Sequence, residues 1–269
     1  MHPAVRKTTA RGFLVRPTTG RSRLAADDRD GAVSDGTPTS RSAHGILRPP
    51  SFATGCLVSE SGERSAAGRR SRAEADKLAI RELVENWVVW RDAGDWERFR
   101  TVWHDDGHMM ATWFQGPAEE FIRVSREGFE RGARILHFLG GTSVDLSGDR
   151  AISQTKMTIT QRALVHEVLC DAVCTGRFYD FLEVRDGRWG IVLRQPIYEQ
   201  DRLNPVDPAA MLALDPALLE RFPVGYRHLA YLQAQLGFDV KPDMPGLSGP
   251  EVEALYARGS AWLSGYDAG

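Results

Sequence analysis

Cysteine is scarce in this chain: Cys56, Cys170 and Cys174 are the three among 269 residues. That excludes a disulfide framework, which belongs to short, cysteine-dense secreted scaffolds. If Cys170 and Cys174 share a strand they lie roughly 13 Å apart at ~3.3 Å per residue, beyond the about 7 Å that a disulfide can bridge. Long apolar runs are also lacking, and none approaches the ~20 residues that span a bilayer. Residues 1–72 contain no tryptophan or tyrosine and no sustained period of 2 or 3.6, while carrying 13 Lys and Arg against 6 Asp and Glu. A basic stretch without interleaved aromatics, ahead of an acidic remainder, excludes the usual pattern of a nucleic-acid reader. No apolar segment follows Arg69 and Arg70, and Asp27, Asp28 and Asp30 interrupt the basic pattern, which speaks against a targeting signal. We expect residues 1–72 to be a disordered tail, the thiols to be reduced, and the protein to be cytoplasmic, with no membrane and no nucleic acid as partner.

What the chain does have is a core-forming remainder, 42% of the whole sequence being hydrophobic. Ile80, Leu83, Val84, Trp87 and Val88 follow the 3.6 period of a helix with one buried face. Asp92 is expected to end that helix. A carboxylate there faces the negative end of the macrodipole, so local stability gives no reason for it and a turn or site role remains. Asp95 reads as the N-cap of a second helix bearing Trp96, Phe99, Val102 and Trp103. Asp105, Asp106 and Gly107 read as a turn, residues 108–113 as a short strand, and Pro117 as the first turn of a third helix. From Arg134 onward strands are expected at 134–145, 150–163, 166–184 and 188–200, joined by Ser147-Gly148-Asp149 and Asp186-Gly187. Residues 201–269 return to helix, with segments near 226–235 and after Pro250. They are expected to pack over the sheet, with a lid or subunit-contact arm as the alternative. Helices followed by a meander give an α+β fold, a cone-shaped curved antiparallel sheet packed against about three N-terminal helices.

This order, and the residues that carry it, resemble the NTF2-like superfamily in its SnoaL-like branch. The matching stretches are Ala79-Ile80-Arg81-Glu82-Leu83, Asp92-Ala93-Gly94-Asp95-Trp96, Trp103-His104-Asp105-Asp106-Gly107, His137-Phe138-Leu139-Gly140-Gly141 and Arg177-Phe178-Tyr179-Asp180-Phe181, running to Arg185-Asp186-Gly187-Arg188-Trp189. The resemblance covers residues 73–200, and the fold it implies hosts unrelated chemistries and non-catalytic members alike.

Several family members use an Asp after the first helix and a His on the strand after the third, and Asp92 and His137 occupy those positions. The resemblance therefore implies a catalytic pair in which the carboxylate fixes the imidazole tautomer and the other ring nitrogen takes a proton. The bland alternative is a turn aspartate and a hydrogen-bonded strand histidine. Trp87, Trp90, Trp113, Met157 and Phe178 are candidates for lining a substrate pocket, with core packing as their alternative. His104, Asp105, Asp106 and His108 could ligate a metal, but neighbouring turn residues point apart, and we expect neither metal nor cofactor. Asp171 reads as a structural partner for an arginine. The bile-acid dehydratase of this fold has a further carboxylate where this chain has Lys156 to Thr160, and a tyrosine near the place of Trp87, which sets its route aside. The function expected is a cofactor-independent lyase or isomerase acting by proton abstraction on a small, largely apolar molecule. The alternatives are a non-catalytic binding or assembly module and an accessory subunit like the small chain of ring-hydroxylating dioxygenases. A homodimer or larger homo-oligomer is expected through the outer face of the sheet.

Overall fold

The computed structural model describes residues 60–267, with side chains from residue 68. Most of the stretch expected to be a tail, residues 1–59, lies outside the described residues. The first helix, α1, spans Glu60–Ala93, so residues 60–72 are helical and the boundary expected at 72 falls inside it. Residues 68–79 are mostly exposed and include an Arg72–Asp76 pair one turn apart at 3.8 Å. Burial with helical period begins at Ile80, which is why the apolar pattern marks only the later half. Asp92 sits within the last turn of α1 and does not follow it. The helix stops at Gly94, whose φ of +75° suits glycine, and the Phe129 ring lies 3.0 Å from where a Cβ would stand.

The short helix α2 (Trp96–Arg100) starts at Asp95, whose carboxylate accepts from the Arg98 backbone N–H at 3.3 Å. Strand β1 spans Trp103–Met110, so Asp105, Asp106 and Gly107 lie inside a strand and not in a turn. They occupy an irregularity, since the register with the neighbouring strand shifts between Trp103 and His108. Strand β2 (Gln115–Pro117) leads into α3 (Ala118–Glu130). Four long strands follow: β3 (Arg134–Ser147), β4 (Arg150–Val165), β5 (Val168–Arg185) and β6 (Arg188–Pro205). Among them β6 runs past residue 200, so the last segment of helix starts later than expected.

The sheet order is β2-β1-β6-β5-β4-β3. All neighbours are antiparallel except β1 and β6, which run parallel, so the sheet is mixed and not wholly antiparallel. The reason is topological: β6 leaves the β5–β6 hairpin and pairs with a strand laid down before α3, a partner that no hairpin supplies. Arg162 and Asp171 are direct cross-strand neighbours and form two hydrogen bonds of 2.6 and 2.7 Å, so the partner of Asp171 is Arg162. Cys170 and Cys174 are both free and buried on β5.

Alternation along the strands divides the apolar residues between two faces. The concave face carries Met157, Ile159, Cys174, Phe178 and Leu182 and meets Ile80, Trp87, Phe99 and Phe121 of the helices in the larger core. The outer face carries Ile152, Tyr179, Phe181, Leu193 and Ile197 in a second core. The residues after β6 serve both. A short α4 (Pro216–Leu219) precedes α5 (Arg227–Gln235), which buries Leu229, Ala230, Tyr231 and Leu232 in the concave core. Helix α6 (Pro250–Leu263) lays Val252, Leu255 and Trp262 on the outer face. Contact there is close: a Cβ on Gly259 would collide with the Tyr179 hydroxyl. Among the described residues no helix is long and apolar enough to cross a membrane.

Candidate active site

The helix α1 and strand β3 meet through one carboxylate. Asp92 faces the start of β3 and accepts the backbone N–H of His137 on Oδ2 at 2.6 Å. Its Oδ1 lies 2.8 Å from Nδ1 of the same residue. An ionised carboxylate only accepts, so Nδ1 carries the proton and Nε2 is left as the basic nitrogen of the neutral ring. This accounts for an aspartate at an unfavourable helix end: two donors from the strand, with Arg91 NH1 of the helix at 3.3 Å beside them, satisfy its carboxylate.

The pair is shielded from solvent, with 6% of the His137 side chain and 14% of the Asp92 side chain exposed. Burial pushes the His137 imidazole below its ordinary value of 6.5, and the hydrogen bond and charge of Asp92 restore only part of that. The neighbouring Arg91 and Arg194 charges push the same way as burial. For Asp92, burial raises the carboxyl, but the His137 ring, Arg91 and the backbone donor together hold it below its ordinary value of 3.8. The result at neutral pH is a carboxylate beside a neutral imidazole.

His137 opens on a small cavity of about 30 Å³, room for one or two waters and well below the roughly 300–1,000 Å³ of usual small-molecule sites, so a ligand enters only if the walls part. Its walls include Trp87, Trp113, Phe121, Ile159 and Phe178. Trp90 and Met157, expected in this lining, are not part of it. Trp90 packs partly buried against the core, rotated away from the line joining Trp87 and Arg91 on α1. Met157 shares the inward face of β4 with Ile159 and Gln161 but sits further along the strand, inside the core. Trp87 holds the imidazole from the side, its ring 5.3 Å from that of His137 at an interplanar angle of 87°.

Several residues here were not singled out in the sequence. Arg91 lines the cavity with its guanidinium buried, NH1 donating to the Ile135 carbonyl at 3.2 Å and to Asp92 at 3.3 Å. The signal was available, because Arg91 lies one helical turn after Trp87. Arg194 and Asp180, fully buried, form two hydrogen bonds of 2.7 and 2.8 Å, and the guanidinium stacks 4.4 Å from Trp87 and 4.0 Å from Phe178. Opposite them, α5 closes the cavity with Leu229 and Gln233. The Gln233 amide accepts from the Thr112 hydroxyl at 2.7 Å and donates to Gln161 Oε1 at 3.1 Å. A contact from a helix 72 positions beyond its partner Gln161 leaves no trace in local periodicity.

The histidines and aspartates weighed as metal ligands turn to other partners. The His104 ring Nε2 lies 2.9 Å from the Glu183 carbonyl, Asp106 pairs with Arg185 at 2.6 Å, and His108 Nδ1 lies 2.8 Å from the Asp106 carbonyl. Among the described residues no three His, Cys, Asp or Glu side chains gather as a metal set would.

Comparison with known proteins gives the family. The SnoaL-like domain matches residues 72–195. A PEP2-like protein of the fungus Fusarium vanettenii is 37% identical over 219 residues, covering 76% of this chain and 94% of its own. Pea pathogenicity protein 2 of the same fungus is 35% identical over 201 residues, 71% of this chain and 86% of its own. Among solved structures, a hexachlorocyclohexane dehydrochlorinase aligns at 14% identity over 54% of this chain and 96% of its own, with a TM-score of 0.43.

Proposed function

The chain belongs to the SnoaL-like domain family of NTF2-like proteins, with the fungal PEP2-like proteins among its relatives, and on that premise we propose that it is a lyase or isomerase working by proton abstraction on a small, largely apolar molecule. His137 is the general base and Asp92 its orienting partner. The observation that carries this reading is the 2.8 Å contact between His137 Nδ1 and Asp92 Oδ1 on the wall of a largely apolar cavity. Ring, tautomer and orientation are all set before a ligand arrives, which is what a positioned base requires. Burial supports the same role, because it keeps the imidazole unprotonated where a free histidine would be half charged. The chemistry assigned to these side chains needs no cofactor.

The test is turnover after substitution, run on α-deuterium wash-in for a panel of small cyclic carbonyl compounds in D2O. His137→Ala is expected to lower the exchange rate by about 10² or more with the fold intact. Exchange that proceeds equally in the variant, or no exchange in wild type, would leave a binding module of the same fold as the reading.

We also propose that the protein self-associates, now through a narrower surface than the whole outer face. Helix α6 covers the part of that face around Phe181 and Ile197. Leu136, Phe138 and Leu164 of β3 and β4 remain 60, 76 and 59% exposed. That strip is apolar enough to seek a partner copy.

A further inference from the structure

A cavity of about 720 Å³ lies on the outer face of the sheet, the face away from His137. That volume falls within the roughly 300–1,000 Å³ of small-molecule sites. Two irregular strands make its floor. Phe181 pairs with Leu193 and Leu182 with Ile191, so Val192 is an extra residue on β6. On β1 the whole stretch from Trp103 to His108 faces only Ile191 to Leu193. Bulges of this kind bend a strand and re-aim its side chains. Here Asp106, His108 and Met110 of β1 border the cavity together with both Val192 and Leu193 of β6. Gly107 lets the two strands close up, since a Cβ on it would stand 3.0 Å from the Ile191 carbonyl oxygen.

Helix α6 forms the wall, where Arg258 and Trp262, four residues apart, share one face. Trp262 is fixed by its indole N–H, which points at the Ala151 and Leu182 carbonyls at 3.2 and 3.3 Å, and the Arg150 guanidinium stacks 4.0 Å from its ring centre. Glu183 serves two arginines at once, accepting from Arg185 Nε at 3.1 Å and lying 3.5 Å from Arg150 Nε. Asp106 pairs with Arg185 at 2.6 Å. The third carboxylate of the lining, Asp267, is 98% exposed and 3.8 Å from Arg150. A pair so solvated contributes little. Three arginines therefore outweigh two effective carboxylates above an apolar floor. Beyond Met110 and Arg258, which border both spaces, a recess of about 170 Å³ continues toward Met244 and Leu255. Its further charges are Lys241 against Asp243 and Glu251, so the cationic end is the one beside Arg150 and Arg185.

We propose that this cavity binds an amphipathic carboxylate, its head among Arg150, Arg185 and Arg258 and its hydrocarbon body along Met110, Val192 and Leu193 toward the recess. The site is separate from His137 and does not depend on the role of that residue. Forked guanidinium donors match the two oxygens of a carboxylate. The opposite orientation would set the head against Asp243 and Glu251. A molecule seated here touches α6 and the sheet together, so it binds the native chain and not the unfolded one and stabilises the fold by mass action.

The probe is octanoate against octanamide, two chains of one length that differ in the charge of the head. Binding to the full chain is measured by equilibrium dialysis, and the thermal melt is followed at rising probe concentration. Wild type is expected to hold one octanoate about tenfold or more tightly than the amide, the lower end of what hydrogen bonds to a charged group supply, and to melt higher as octanoate is added. Arg258→Gln, an exposed position on α6, should cut the preference severalfold, and adding Arg185→Gln should bring it to within about threefold. Val192→Glu, which places a like charge in the floor, should weaken octanoate more than octanamide. His137→Ala should leave octanoate binding unchanged. Failure of wild type to bind octanoate, equal binding of the two probes, a preference unchanged in Arg258→Gln and Val192→Glu, or loss of octanoate binding in His137→Ala overturns the proposal. The single variants serve if the double arginine variant fails to fold.

Discussion

Protonation of His137 couples the candidate site to the stability of the fold. In the folded chain burial holds its imidazole below 6.5, so the native state binds this proton less readily than the unfolded chain does. The associated stability is complete above pH 6.5 and is lost as pH falls from there through the lowered folded value. Asp92 has the same sign, its contribution being present above its ordinary value of 3.8 and lost as pH falls through its lowered value. His104, also lowered by burial first of all, adds to the histidine limb. Denaturant midpoints measured from pH 8 to pH 5 are therefore expected to fall toward acid in wild type and to fall less in His137→Gln, the difference between the two isolating the site. A flat difference would mean that the buried imidazole does not titrate as its surroundings require. At this scale the sequence disclosed Asp92 and His137 because their positions match a family pattern. Arg91 was not singled out although it lies one helical turn after Trp87, and the Asp180–Arg194 pair was not legible because its burial depends on two strands coming into register.

Elements were legible where one face of one segment did the work. The period of Ile80, Val84 and Trp87, the Asp95 cap and the turns at Gly148 and Gly187 are all local, and each stands where the residues placed it. The parallel pairing of β1 with β6 and the two destinations of the last helices were not local and could not be read from pattern. Helix α6 illustrates why: its small residue Gly259 looks like a helix weakness in sequence, yet it is what lets the helix settle on Tyr179. Gly259→Ala is expected to cost about 1–3 kcal/mol by overpacking. Adding Tyr179→Phe, which removes the obstructing hydroxyl, should recover part of that loss in urea melts. A Gly259→Ala protein as stable as wild type would show that α6 sits less tightly than its contacts imply.

At the scale of the whole molecule, the strip of Leu136, Phe138 and Leu164 beside the edge strand β3 decides whether the protein works alone. Light scattering at micromolar concentration is expected to give a dimer, and Phe138→Glu to shift it to monomer without lowering the melt. A wild type that is monomeric throughout would assign the strip to solvent. The other half of the outer face has its own cover, and that cover has a history in the making of the protein. The cone is complete at Pro205, while the helices that shut its mouth and roof its back come later in the chain. At about 5–20 residues per second, a ribosome spends roughly 3–12 s between the two. During that interval the nascent sheet stands with Phe181 and Ile197 uncovered on its outer face, an apolar surface that neighbouring chains on one message can meet before α6 is made.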